Sequence, residues 1–209
     1  VIQNPKPFQA EQVQNKKEES KSELEVLQTE EVDRLSHYKA LIREDFARKK
    51  SVFFCVSENQ DIRRLTLDLE RGIESYVCAF HNDMSKKDIL AEWRKALLPN
   101  HPVVIVAGAQ WLFIPRQDLN SLVIEGENKR GWRTLARPFV DLRQCAEMLG
   151  KKLGLRTILG DSFLRTETLW RYKQERMREF ESIKWRLSFE DNPIVIDLAH
   201  DTKRDTKKE

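Results

Sequence analysis

Two carboxylates bracket a glycine in Glu125-Gly126-Glu127-Asn128, directly after the apolar run Leu122-Val123-Ile124. Carboxylates at the end of a buried strand can hold a cation or ready a water, and Glu125 is the candidate cation ligand. The pair also fits a plain turn, because exposed carboxylates are common at strand ends. Immediately beyond lies Lys129-Arg130-Gly131-Trp132-Arg133-Thr134-Leu135-Ala136-Arg137, in which basic residues bracket an aromatic and a glycine permits close approach. Lys129, Arg130, Arg133 and Arg137 can pair with phosphates while Trp132 stacks on a base, which is the chemistry of a nucleic-acid contact. The alternative is an exposed loop whose Trp132 packs back on the sheet.

Other chemistries are harder to build from this chain. A phosphate loop needs glycines and a Lys-Ser/Thr pair, and no GxxxxGK[ST] occurs anywhere. Cys55, Cys78 and Cys145 stand far apart with no CxxC pair, which argues against a zinc site and suits a reducing cytoplasm. Cys55 and Cys78 lie in apolar runs and read as small core residues. His81 has no nucleophilic or acidic partner in sequence, and Trp111 reads as a packing aromatic. With 37 basic residues against 34 acidic, net charge +3, only a local patch could attract a polyanion. No run approaches the roughly 20 apolar residues of a membrane span.

The elements that must position these residues alternate. Residues 1–29 are polar and read as a linker, with the domain over 30–199 and a charged tail at 200–209. Val1 in place of Met, with the charged end at Glu209, suggests a piece of something longer. A helix is expected over 30–49, where Val32, Leu35, Tyr38, Leu41, Ile42 and Phe46 recur at helical spacing. Ser51–Val56, Tyr76–Phe80, Val103–Ala107, Leu122–Ile124 and Arg156–Gly160 read as buried strands, with Ile183–Phe189 and Ile194–Leu198 as two more. Helices are expected over 59–71, over 86–97 capped by Ser85, over 138–152 closed near Gly154, and over 165–181. Apolar strands alternating with helices spell an α/β domain with a doubly wound, mostly parallel sheet, whose ligands sit at the carboxyl ends of the strands.

The segment order from about residue 38 to 201 resembles the first motor domain of the primosomal protein N′ family. Val56-Ser57-Glu58 stands where that family has Val-Pro-Glu, and Phe80-His81-Asn82-Asp83-Met84-Ser85 followed by Glu92-Trp93-Arg94 resembles its His-Ser turn and Glu-Trp-Arg helix. Leu112-Phe113-Ile114-Pro115 resembles its Leu-Phe-x-Pro loop. Thr157-Ile158-Leu159-Gly160 with Thr166-Glu167-Thr168 resembles the third helicase motif, and Trp185-Arg186-Leu187 and Ile194–Leu198 have counterparts late in the domain. The resemblance implies a RecA-like, P-loop-NTPase-type first lobe of a superfamily 2 DNA motor that acts in replication restart in the cytoplasm.

Three departures bear on activity. The phosphate-loop position, Thr29 through Ser36, has no glycine or lysine and carries Glu30, Glu31 and Asp33. The family's Asp-Glu-Glu-His box is here Glu125-Gly126-Glu127-Asn128, which empties the water-activating position and displaces Glu127. The family's Gly-Ser-Ala-Thr-Pro-Ser loop is Gly160-Asp161-Ser162-Phe163-Leu164-Arg165. The expectation is a degenerate helicase-like domain that binds forked or single-stranded DNA, or replication-restart proteins, without hydrolysing ATP. ATP and Mg²⁺ enter only on the alternative that a phosphate loop lies upstream or takes an unfamiliar form. A third reading is a structural α/β domain with no nucleic-acid role.

Overall fold

The structure, a computed structural model, describes residues 23–182. The strands expected at Ile183–Phe189 and Ile194–Leu198 lie outside the described residues. Among the described residues seven strands form one all-parallel sheet: β1 (Leu24–Gln28), β2 (Ser51–Val56), β3 (Val77–Phe80), β4 (Val104–Ala107), β5 (Leu119–Glu125), β6 (Arg156–Asp161) and β7 (Arg178–Glu179). They lie in the order β3-β4-β2-β5-β6-β1-β7.

Side chains alternate across each strand, and the two faces collect different helices. Val52, Phe54, Val56, Val104, Val106 and Val123 point to the face covered by α1 (Glu31–Ala47) and α2 (Asn59–Leu69). Phe53, Cys55, Cys78, Phe80, Ile105 and Ile124 point to the other, against α3 (Lys86–Ala96), α4 (Leu142–Leu153) and α5 (Thr166–Lys173). Both faces being dry, the strands carry near-continuous apolar runs. Cys55 and Cys78 are fully buried, as small core residues should be.

The helix signals work by backbone chemistry. Ser85 Oγ accepts the Asp88 N–H at 3.2 Å and starts α3. Gly154 ends α4 in the left-handed region at φ 69°. The far ends of the strands are tied by Arg116, whose guanidinium donates to the carbonyls of Ala96, Leu98 and His101 and to Asp118. Ser51 joins that knot, donating to Asp118 and accepting the Val103 N–H.

Three differences from the sequence reading have physical reasons. Leu24–Gln28, inside the stretch read as linker, is a strand between β6 and β7. Its polar look misleads because Glu25, only 5 % exposed, is held by two hydrogen bonds of 2.9 Å from Arg156. The helix expected from 138 begins at Leu142, because residues 134–140 close a small hairpin and Asp141 caps α4 through the Arg143 N–H. The helix expected to 181 stops at Lys173, and the chain turns to lay Arg178–Glu179 beside β1.

Candidate functional site

The carboxyl ends of β1, β5 and β6 meet, and with them the three motif positions singled out in the sequence. Arg34, in the first turns of α1, grips Glu125 at the end of β5. Its Nε lies 3.1 and 3.0 Å from Oε1 and Oε2, and Nη2 lies 2.8 Å from Oε1. Its remaining nitrogen donates to the Thr29 carbonyl at 2.7 Å and to Ser162 Oγ at 3.3 Å. Tyr38, one helical turn later, donates to Glu125 Oε2 at 2.6 Å. A forked guanidinium on both oxygens is the strongest geometry for such a pair.

The electrostatics keep the Arg34 guanidinium charged. Burial alone pushes the Arg34 guanidinium down, but the hydrogen bond and charge of Glu125 outweigh it, and the net shift is upward. Burial and the Glu125 charge push the Tyr38 phenol well above its ordinary value, so it stays a neutral donor. The cation at Glu125 is therefore the chain's own arginine.

The sequence shows Tyr38 only as part of the helical stripe, and Arg34 carries no local sign of its burial. The helical face was read through Val32, which is 74 % exposed, whereas Arg34 is 5 % exposed. The available signal was the spacing of Arg34, Tyr38, Ile42 and Asp45, which share the buried face. Ser36 is exposed and donates back to the Val32 carbonyl.

A magnesium-nucleotide does not fit these residues. The cavity beside Glu31, Arg34, Tyr38 and Glu125 measures about 20 Å³, space for a water rather than a triphosphate. Glu31 and Asp33 occupy the first turn of α1, where they complement the helix dipole that would otherwise attract phosphate. Gly160 allows the closure: a Cβ there would stand 1.9 Å from Tyr38 Oη. Among the described residues no group of three His, Cys, Asp or Glu side chains is placed to hold a metal ion.

The rest of the acidic box is tied into the fold. Gly126 has φ +69°, and a Cβ there would come 2.9 Å from the Lys129 side chain. Glu127 is turned inward: Oε2 accepts the Arg165 N–H at 2.9 Å and Oε1 the Thr168 hydroxyl at 2.7 Å, which fastens the start of α5. Burial pushes its carboxyl up, and those hydrogen bonds with the charges of Arg165 and Arg143 offset only part of the push. The Asn128 N–H donates to Asp161 Oδ2 at 2.8 Å, and Lys129 is paired with Asp61.

The basic loop divides. Trp132 is fully buried and donates from Nε1 to the Gly126 carbonyl at 2.7 Å. It is the loop's anchor on the sheet and has no face open for a base, which corrects the stacking role. Arg130, Arg133 and Arg137 are exposed, with no ion-pair partner among the described residues. Arg130 and Arg133 border a depression of about 410 Å³ with Lys129, Arg143, Arg165 and Glu167. Beyond them Leu135 is 97 % exposed at the hairpin tip. His81 follows β3 with Nδ1 buried and no hydrogen-bond partner among the described residues, and Trp111 stacks on Phe80, as a packing aromatic should. The largest of these cavities, about 630 Å³ beside Phe46, Pro99 and Arg116, lies at the opposite edge of the sheet.

No family model matches the chain, and no curated protein matches it in sequence. Solved structures do match in fold. The C-terminal domain of Dbp5 from S. cerevisiae, solved with Gle1 and IP6, aligns at 15 % identity over 78 % of this chain and 92 % of that one, with a TM-score of 0.55. The UvsW helicase of bacteriophage T4 aligns at 12 % identity over 76 % of this chain and 54 % of that one, with a TM-score of 0.49. The E. coli DExH-box NTPase HrpB aligns at 18 % identity over 71 % of this chain and 20 % of that one, with a TM-score of 0.42. The fold is a RecA-like helicase-type lobe. Among the described residues no helix is long and apolar enough to cross a membrane.

Proposed function

We propose that this chain is a degenerate helicase lobe of the kind found in primosomal protein N′, which serves DNA replication restart or repair as a DNA-binding module and does not hydrolyse ATP. The single observation that carries this reading is the Arg34–Glu125 pair. On the resemblance, the phosphate-loop position is Thr29 through Ser36 and the acidic box begins at Glu125, and Arg34 of the first is ion-paired internally with Glu125 of the second. With Gly126 at the water-activating position, neither triphosphate binding nor water activation has a side chain to perform it. The assignment to a first lobe rests on the order of the motifs, since helicase lobes share this fold.

DNA is the preferred partner because the exposed cations cluster at the carboxyl edge, where α/β sheets take ligands. Lys129, Arg130, Arg133 and Arg137 supply the charge; Trp132 supplies rigidity from beneath. The test is calorimetry with MgATP, followed by a phosphate-release assay with single-stranded DNA present. The expected result is no heat of binding and no DNA-stimulated phosphate. Micromolar ATP binding with DNA-dependent hydrolysis would restore the active-motor alternative.

A further inference from the structure

We infer that the depression bordered by Lys129, Arg130, Arg133, Arg143 and Arg165 accepts phosphates of a single-stranded polynucleotide in a nucleotide-independent manner, because Arg34 holds the segment beneath it in one state. The inference rests on the DNA-binding reading above and adds the regulation of that site.

Each residue leading from the ion pair to the basic loop has a fixed partner. Glu125 is held by Arg34 and Tyr38. The N–H groups of Gly126 and Glu127 both donate to the Gly160 carbonyl, at 2.9 and 3.2 Å. The Gly126 carbonyl takes the Trp132 indole, and the Glu127 carbonyl takes Arg143 at 2.6 Å. Asn128 is fixed to Asp161, and Lys129 to Asp61. Arg130 and Arg133 thus flank a fully buried anchor at the end of a continuous chain of hydrogen bonds.

Five cations face one carboxylate, Glu167, across this depression. Lys129, Arg143 and Arg165 already have carboxylate partners, whereas Arg130 and Arg133 have none among the described residues. A polyanion therefore gains two uncompensated charges inside a basic surround, in a chain whose overall balance offers no such attraction.

A ligand shifts an equilibrium only through differential affinity for two states. In this chain Glu125 already has both oxygens on a guanidinium, and the space beside it admits no triphosphate. Nothing is left for a nucleotide to switch.

The experiment is a fluorescence-anisotropy titration of a labelled oligothymidylate with the whole chain over a salt series, with and without saturating MgATP. The expected result is salt-dependent binding whose affinity agrees within about twofold in the two arms, far below the roughly fivefold or more of allosteric coupling. Arg130→Ala with Arg133→Ala lowers the salt slope by about 1.4, at about 0.7 per phosphate contact on single strands. Arg34→Ala weakens binding about tenfold, or about 1.4 kcal/mol, and Tyr38→Phe weakens it by a smaller factor while leaving the ion pair in place. No binding by the wild-type chain at low salt would sink the DNA-binding reading and this inference together. An unchanged slope in the double variant would overturn the inference alone, and binding that shifts tenfold with MgATP would overturn it together with the expected absence of ATP binding. If Arg34→Ala does not fold, Tyr38→Phe and the nucleotide comparison decide the matter; equal affinity in a folded Arg34→Ala chain would also overturn it.

Discussion

Glu127 and Thr168, 41 residues apart in sequence, share a buried hydrogen bond of 2.7 Å that fastens the start of α5 to the end of β5. The carboxylate also takes the Arg165 N–H, so both of its oxygens serve the fold. Both carboxylates at the end of β5 are thus engaged by the fold, Glu125 by Arg34 and Tyr38 and Glu127 by Arg165 and Thr168.

Glu127→Ala should therefore act as a folding defect. Removal leaves a buried hydroxyl and a backbone N–H without their acceptor, which costs roughly 1–3 kcal/mol for each such group. Urea unfolding should report a loss of roughly 2–6 kcal/mol for the two groups together, and Thr168→Val a smaller one. An unchanged midpoint for Glu127→Ala would mean that the carboxylate is free for chemistry after all.

The Arg34–Glu125 pair makes a sharper prediction. Arg34→Ala strands a buried carboxylate, and breaking one side of a buried pair costs roughly 3–5 kcal/mol. Replacing both partners by apolar residues of similar size, Arg34→Met with Glu125→Leu, removes the charge and the need for its partner together, so the double variant should be more stable than Arg34→Ala. Denaturant unfolding of the two side by side makes the comparison. Equal losses would show that the pair is not a buried unit.

A carboxylate introduced at position 126 should not confer turnover. Gly126→Glu puts a side chain in a left-handed conformation and against Lys129, a strain of about 1–2 kcal/mol. Arg34 still grips both oxygens of Glu125. The expected outcome is a less stable protein with no ATP-dependent phosphate release. Measurable hydrolysis would mean that the guanidinium yields to nucleotide.

The sheet was legible because burial on both faces writes itself into sequence. Val52 through Val56 and Val104 through Ala107 could be read as nothing but dry strands, and Ser85 and Gly154 marked helix ends by local hydrogen bonding and backbone preference. β1 was hidden because its buried Glu25 is neutralised by Arg156, a partner 131 residues away that no local window contains. Arg34 was hidden for the same reason: a buried arginine looks like a surface arginine until its distant carboxylate is known. The acidic box and basic loop were found by residue type, but type did not say which way Trp132 or Glu127 would turn. That is decided by the indole's reach to Gly126 and by the orphan donors at the start of α5.

Stability should pass through a maximum at mildly acid pH. Burial pushes the Asp118 and Asp141 carboxyls up, but hydrogen bonds from Arg116 and Ser51 in one case, and the bond and charge of Arg143 in the other, hold both below the usual 3.8. Their contribution is complete above 3.8 and is lost as pH falls from there through the folded-state values. Glu127 and Asp45 run the other way. Burial raises both, above 4.5 and 3.8 respectively, and their partners offset only part of it. The folded chain therefore holds those protons more tightly than the unfolded one, and stability declines as pH rises through the raised values. Thermal unfolding across a pH series should fall away on both sides of the maximum, with Asp141→Asn flattening the acid limb and Glu127→Gln the limb toward neutral pH. A Glu127→Gln protein whose neutral limb matches the wild type would show that burial of this carboxylate carries no penalty.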